Sequence, residues 1–161
     1  MRKMISRGEE VYSTEVFEIL FQYEVSRSKR YPAPLSLLQI ESTPSALSED
    51  ELQNASAIFA AKINSHIRSV DIPSKIGNSL KVLLPTTDEA GARAVCERLL
   101  SIFKNKVSGK NNETLAFSVQ IGASSHPGGS SLSEEFLLQK AEEALAQSKL
   151  KGPHTYVLLT K

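Results

Sequence analysis

The residues whose types and spacing could do chemistry are few. Ser108-Gly109-Lys110 resembles the end of a phosphate-binding loop, whose backbone N–H groups cradle phosphate oxygens. That loop begins on a glycine and continues with Ser or Thr, where this chain has Lys104 and Asn111. Gly128-Gly129 follows Pro127 in a polar stretch, outside the strand-then-helix frame of a dinucleotide fingerprint. No Gly-x-Ser-x-Gly and no His-Glu-x-x-His occurs, so neither a hydrolase elbow nor a zincin helix is available. With 3 His and 1 Cys the chain lacks the ligands of a structural zinc site. One charged pair remains. Arg68 and Asp71, in Arg68-Ser69-Val70-Asp71, stand three apart at an expected helix end and can point to one patch. The same spacing describes a surface ion pair contributing about 0–1 kcal/mol. Arg98, in Cys96-Glu97-Arg98, lies on the outer face of a later helix, where a guanidinium is ordinarily solvated.

The elements that must position these residues alternate along the chain. Glu15 to Arg30 reads as a helix with Val16, Ile19, Leu20, Tyr23 and Val25 on its apolar stripe. The basic residues Arg27, Lys29 and Arg30 suit the negative end of its dipole, and Pro32 and Pro34 follow. Leu35 to Ile40 is an apolar run bounded by turn formers, hence a buried strand. Ser48 and Glu51 form a capping box ahead of Leu52, Ala55, Ile58, Phe59, Ile63 and Ile67. That helix is expected to end near Arg68 to Asp71, before Pro73. Lys75 to Leu84 reads as two strands around Gly77-Asn78, which can supply positive φ. A third helix opens after Pro85, at Thr86, Thr87 and Asp88, and runs to about Lys106 with Ala92, Val95, Leu99, Leu100 and Phe103 inward. Val107 to Glu113 is polar and reads as a loop. Leu115 to Gly122 alternates as a half-buried strand, and His126 to Ser131 is a further loop. Leu132 to Leu150 is the last helix, with Phe136, Leu137, Ala141, Ala144 and Leu145 on one stripe. Gly152 ends it, and Tyr156 to Leu159 is the closing strand. The order α-β-α-β-β-α-β-α-β specifies an α/β sandwich, a central sheet flanked by helices.

Composition bounds the function. The chain has 161 residues, 40% of them hydrophobic and 23% charged, which is the profile of one globular domain. Residues 1–11 read as a tail or a short extra helix, and residues 12–161 as the domain. A formal charge of +1 argues against a general nucleic-acid binder, which carries a basic excess. No stretch reaches the ~20 apolar residues of a membrane span, and no apolar run follows the N-terminal basic residues, so a secretory leader is not expected. The lone Cys96 suits a reducing compartment. The cytoplasm is the expected location.

Several local strings, in this order, resemble GGDEF (diguanylate cyclase) domains. They are the helix Phe17 to Arg30 with the strand Leu35 to Ile40, the approach Ile67 to Gly77, and Val82-Leu83-Leu84-Pro85 with Cys96-Glu97-Arg98-Leu99. The strand Ser118 to Ala123 and the helix string Ala141 to Lys149 complete the set. The resemblance spans roughly Phe17 to Leu159. It implies a mixed, mostly antiparallel five-stranded sheet flanked by helices, nucleotidyl-cyclase-like.

The resemblance also shows what is missing. The family's signature hairpin reads Gly-Gly-Asp/Glu-Glu-Phe, where this chain has Gly77-Asn78-Ser79-Leu80-Lys81 if Gly77 is the first glycine. Counting back from Pro85 makes Gly77 the second glycine instead. The family's first strand ends in Asp-x-Asp, whose first carboxylate helps hold magnesium; here the triplet is Gln39-Ile40-Glu41. Magnesium prefers hard anionic oxygens beside a triphosphate, and Ser79, Leu80 and Gln39 are poor substitutes. Lys149 stands where the family has a phosphate-contacting lysine. Diguanylate cyclase activity, a catalytic residue, a metal site and a cofactor are therefore not expected.

The inhibitory product site of the family uses Arg-x-x-Asp just before the signature and a second arginine from the next helix. Arg68, Asp71 and Arg98 occupy those places. Guanine O6 and N7 can meet a guanidinium with two parallel donors, its N1–H and amine suit a carboxylate, and a second arginine offsets phosphate or stacks on a base. The resemblance thus implies an inactive receptor for cyclic di-GMP that signals to a protein partner or bridges two copies, without nucleic acid or membrane insertion. Two alternatives stand beside it. One is a nucleotide-independent scaffold docking through the former active face around Leu80, and the other is a domain that binds GTP without turning it over.

Overall fold

The computed structural model describes residues 4–6, 9–45, 49–76, 79–108 and 114–160. In chain order the elements are β1 (Met4–Ser6), β2 (Glu9–Val11), α1 (Thr14–Arg30), β3 (Leu35–Pro44), α2 (Glu49–Asn64), β4 (Ile72–Ile76) and β5 (Ser79–Pro85). There follow α3 (Glu89–Ile102), β6 (Val107–Ser108), β7 (Thr114–Leu115), β8 (Phe117–His126), α4 (Glu134–Lys151) and β9 (Thr155–Thr160). The apolar run at Leu35–Leu38 has its reason in the sheet. β3 lies at the centre of the order β4-β5-β3-β8-β9, and a strand covered on both faces loses polar alternation. Its neighbours pair antiparallel, and only β8 with β9 is parallel. The expected mixed five-stranded sheet is the one formed.

Each face of the sheet carries its own core. Phe17, Phe21 and Val25 of α1 and Leu137 and Ala141 of α4 pack with Leu35, Leu37 and Leu83. Phe59 and Ile63 of α2 and Cys96 and Leu99 of α3 pack with Leu38, Ile40, Val82 and Ile121 on the opposite face. Phe59, Phe103 and Phe117 add a ring cluster there, with centroids 4.8–5.5 Å apart. α4 lies on β8 at Gly122, where a Cβ would come within 2.2 Å of the Leu145 nitrogen and 2.3 Å of the Ala141 oxygen.

Several local expectations differ from the structure. In α1 the sheet-facing stripe is Phe17, Phe21, Val25 and Ser28, while Ile19 and Tyr23 point to solvent. The helix is apolar on two faces, and the pair of phenylalanines buries the greater surface. Residues ahead of Tyr12 include the antiparallel ribbon β1–β2 in place of a tail or helix. The expected loop after Lys106 holds the short pair β6–β7. α3 begins at Glu89, because the Asp88 carboxylate accepts the Gly91 N–H at 2.8 Å and caps it there. The capping-box residue Ser48 lies outside the described residues, as do Gly77 and Asn78.

Candidate functional site

α2 stops at Asn64, ahead of the expected Arg68–Asp71 end, and the chain turns before entering β4. Asp71 organises this turn. Its N–H donates to the Arg68 carbonyl at 3.0 Å. Its carboxylate accepts the Arg68 backbone N–H at 2.7 Å on Oδ2 and the Arg68 guanidinium Nη2 at 3.0 Å on Oδ1. The Asp71 side chain is 1% exposed and that of Arg68 51%. Both Asp71 oxygens are therefore engaged inside the protein, and the guanidinium is held at the surface by its inner nitrogen.

The corner between β5 and α3 supplies the other side of the grip. Arg68 Nη2 also donates to the Pro85 carbonyl at 2.8 Å and to Thr87 Oγ1 at 2.7 Å. Thr87 is fixed in turn: its Oγ1 donates to the Pro85 carbonyl at 2.9 Å, and its own carbonyl accepts from Ser36 Oγ at 2.7 Å. Thr86 adopts φ 52°, a left-handed conformation that costs a β-branched residue about 1–3 kcal/mol. A strained corner anchored to the central strand therefore presents Thr87 and Asp88 beside Arg68.

Arg98 approaches from α3. Its Nε and Nη2 donate to the His66 carbonyl at 3.2 and 2.8 Å, just past the C-terminal end of α2, where a cation suits the helix dipole. Arg68, Asp71 and Arg98 line one cleft of about 340 Å³, with Pro34, Thr87 and Val95 among its walls. Arg68 Nη1 and Nε and Arg98 Nη1 have no partner among the described residues. The buried Cys96 beneath this helix face is inert: burial pushes its thiol up to about 12. The stretch Pro85-Thr86-Thr87-Asp88, read from sequence as a helix opening, thus contributes to the cleft; a Thr-Thr pair after a proline carried no signal for that.

The other end of the sheet holds the positions that the sequence aligned with magnesium and triphosphate. Gln39 stands opposite Lys81 and Glu41 opposite Ser79 in the β3–β5 register. The Lys149 ammonium meets Glu41 Oε2 at 2.5 Å. Among the described residues no group of three or more His, Cys, Asp or Glu is placed to hold a metal ion. An amide, a hydroxyl and a carboxylate already paired with a lysine do not fit magnesium's demand for anionic oxygens. Leu80 corrects an expectation. It is 1% exposed and belongs to the α2–α3 core, because its place in β5 turns it to the face opposite Ser79 and Lys81. It offers no docking surface.

A mixed five-stranded sheet with helices on both faces and a hairpin of β4 and β5 at one edge is a nucleotidyl-cyclase-like α/β sandwich. The sequence profile described as "Diguanylate cyclase, GGDEF domain" matches residues 56–155, and the chain belongs to that family. The response regulator PleD of Caulobacter vibrioides is 30% identical over 106 residues, which cover 62% of this chain and 22% of PleD. The chain thus spans less than a quarter of that relative. Among solved structures, the GGDEF domain of TpbB (YfiN) from Pseudomonas aeruginosa superposes with a TM-score of 0.77 at 17% identity, covering 96% of this chain and 94% of that one. The coiled coil and GGDEF domain of DgcB from Caulobacter crescentus, in complex with c-di-GMP, gives a TM-score of 0.76 at 12% identity over 98% of this chain and 85% of that one. No described helix is long and apolar enough to cross a membrane.

Proposed function

We propose that this domain does not cyclise GTP and instead acts as a cyclic di-GMP receptor, with Arg68 and Arg98 contacting the ligand. The observation that carries this reading is a contrast between the two ends of the sheet. The near neighbours Arg68 and Asp71 meet Arg98 of α3 in one cleft, whereas the metal end has Gln39, Ser79 and a Lys149–Glu41 pair. Asp71 acts here by positioning: it turns inward and holds the Arg68 guanidinium at the cleft. The partnerless guanidinium nitrogens provide donors for guanine O6 and N7 or for phosphate oxygens. The bound nucleotide would then be read by a protein partner or bridge two copies of the domain.

Isothermal titration with cyclic di-GMP tests the receptor. Micromolar or tighter binding is expected for the wild type. A bidentate guanidinium contact is worth about 1–3 kcal/mol, so Arg68→Ala and Arg98→Ala should each weaken binding by about tenfold or more. Absence of heat with the wild type, or equal binding by Arg68→Ala, would remove the proposal. The inactive half is tested separately: incubation with GTP and magnesium should yield no cyclic di-GMP by chromatography, and product made in proportion to protein would overturn it.

A further inference from the structure

α1, α4 and the strands β4 and β5 wall a second cleft, of about 300 Å³, that shares no residue with the Arg68–Arg98 cleft. Phe17 and Phe21 of α1 and Leu138 of α4 form its apolar sides. Its floor is polar. Ser74 stands opposite Lys81 in the β4–β5 register, and Ser79, two residues before Lys81, shares that face of the sheet. Glu18, one residue after Phe17, and Glu134, one turn before Leu138, complete the walls from the two helices. Apolar sides with a few convergent polar groups are the make-up of a small-molecule pocket, and this volume lies at the small end of such pockets.

The charges in this cleft lack counter-ions. Lys149 of α4 is paired with Glu41, whereas the half-buried Lys81 has no carboxylate partner among the described residues. Glu18 and Glu134 have no cation partner there either. Burial and the facing Glu18 and Glu135 push the Glu134 carboxyl up. A cation at the floor and two acids on the helix walls therefore stand apart, each short of an opposite charge. We propose that this cleft binds a small zwitterion with an apolar side chain, of the amino-acid class. Its carboxylate accepts from the Lys81 ammonium and the Ser79 hydroxyl, its ammonium donates to Glu18 and Glu134, and its side chain packs on Phe17, Phe21 and Leu138. A simple carboxylate would leave the acids unmatched, an amine would leave Lys81 unmatched, and a triphosphate would meet two carboxylates. The site is independent of cyclic di-GMP, because α1 and α4 pack on one face of the sheet and Arg98 projects from α3 on the other.

Isothermal titration of the nucleotide-free protein with L-leucine, L-methionine and L-phenylalanine, each in turn, is the test. At least one should bind with a Kd of about 1 mM or tighter. The deaminated acid and the decarboxylated amine of that amino acid should each bind about tenfold more weakly or worse, since each loses one charge-assisted contact. Lys81→Met and Glu134→Gln should weaken binding to the same extent. Lys81→Met removes a cation that has no counter-ion, so it should keep or raise the melting temperature, which separates lost binding from misfolding. Amide shifts on titration should fall at Phe17 to Gln22 and at Ser79 to Lys81. The proposal is overturned if none of the three amino acids binds, or if Lys81→Met binds as the wild type does. Equal binding of the deaminated acid or of the amine would also overturn it, because the site would then not read both charges.

Discussion

Gly122→Ala is expected to lower the melting temperature by about 10 °C or leave the protein insoluble. The added methyl would have to stand 2.2 Å from the Leu145 nitrogen, 2.3 Å from the Ala141 oxygen and 2.6 Å from the Leu145 Cα. All three are helix backbone and cannot rotate aside, so α4 must lift away from β8. Overpacking of this kind costs about 3 kcal/mol, and each kcal/mol lowers the melting temperature of a domain this size by about 2–4 °C. Lifting α4 also pulls Leu137 and Ala141 from their cluster and strains the bond from Ser124 Oγ to the Leu137 carbonyl at 2.7 Å. Gly129→Ala is the control. Its Cβ would meet nothing within 4 Å at φ 95°, so only dihedral strain of about 1–2 kcal/mol applies. Equal melting temperatures for the two variants would show that the α4–β8 contact is looser than described.

Asp71→Ala should lose stability and ligand binding together. The substitution removes the acceptor of the Arg68 N–H and of its Nη2; stranding such donors costs about 1–3 kcal/mol, or about 5 °C in melting temperature. The Arg68 guanidinium would remain tied to Pro85 and Thr87 but lose the charge that fixes its plane. Cyclic di-GMP affinity should then fall by about tenfold or more, as in Arg68→Ala. Asp71→Asn separates the two effects. Its amide oxygen can still accept the Arg68 N–H, so most stability returns, while its NH₂ faces a guanidinium that can only donate. Thermal melts and titrations on the pair read this out: wild-type affinity in Asp71→Asn would mean that Asp71 does not position Arg68.

The order of the long helices and of the five strands of the central sheet was legible because its signals are local. Leu35–Ile40 reads as a buried strand, and Phe59 with Ile63 in α2, and Leu137 with Ala141 and Ala144 in α4, recur at helical spacing. Arg68, Asp71 and Arg98 were singled out through resemblance to GGDEF domains, and the fold brings them into one cleft, which leaves their ligand as the proposal to be tested. Thr87 was not, since its role depends on an arginine from another element and on a strained residue beside it. Leu80 was misjudged for a related reason. A residue's face in a hairpin is set by strand register, and a shift of one position moves it between core and surface.

Periodicity and chain order were enough to specify an α/β sandwich and its long helices and strands, and the local strings set in that order carried the resemblance to the family to which the chain belongs. They could not decide which of two apolar stripes on α1 meets the sheet, because both have helical period, and only packing against Leu35, Leu37 and Leu83 selects Phe17 and Phe21. They could not show that Lys149 is neutralised by Glu41, or that Asp71 turns inward on Arg68. The first two rest on contacts between residues distant in sequence, and the third on the burial of Asp71 beneath its near neighbour Arg68; that geometry exists only once the sheet has closed.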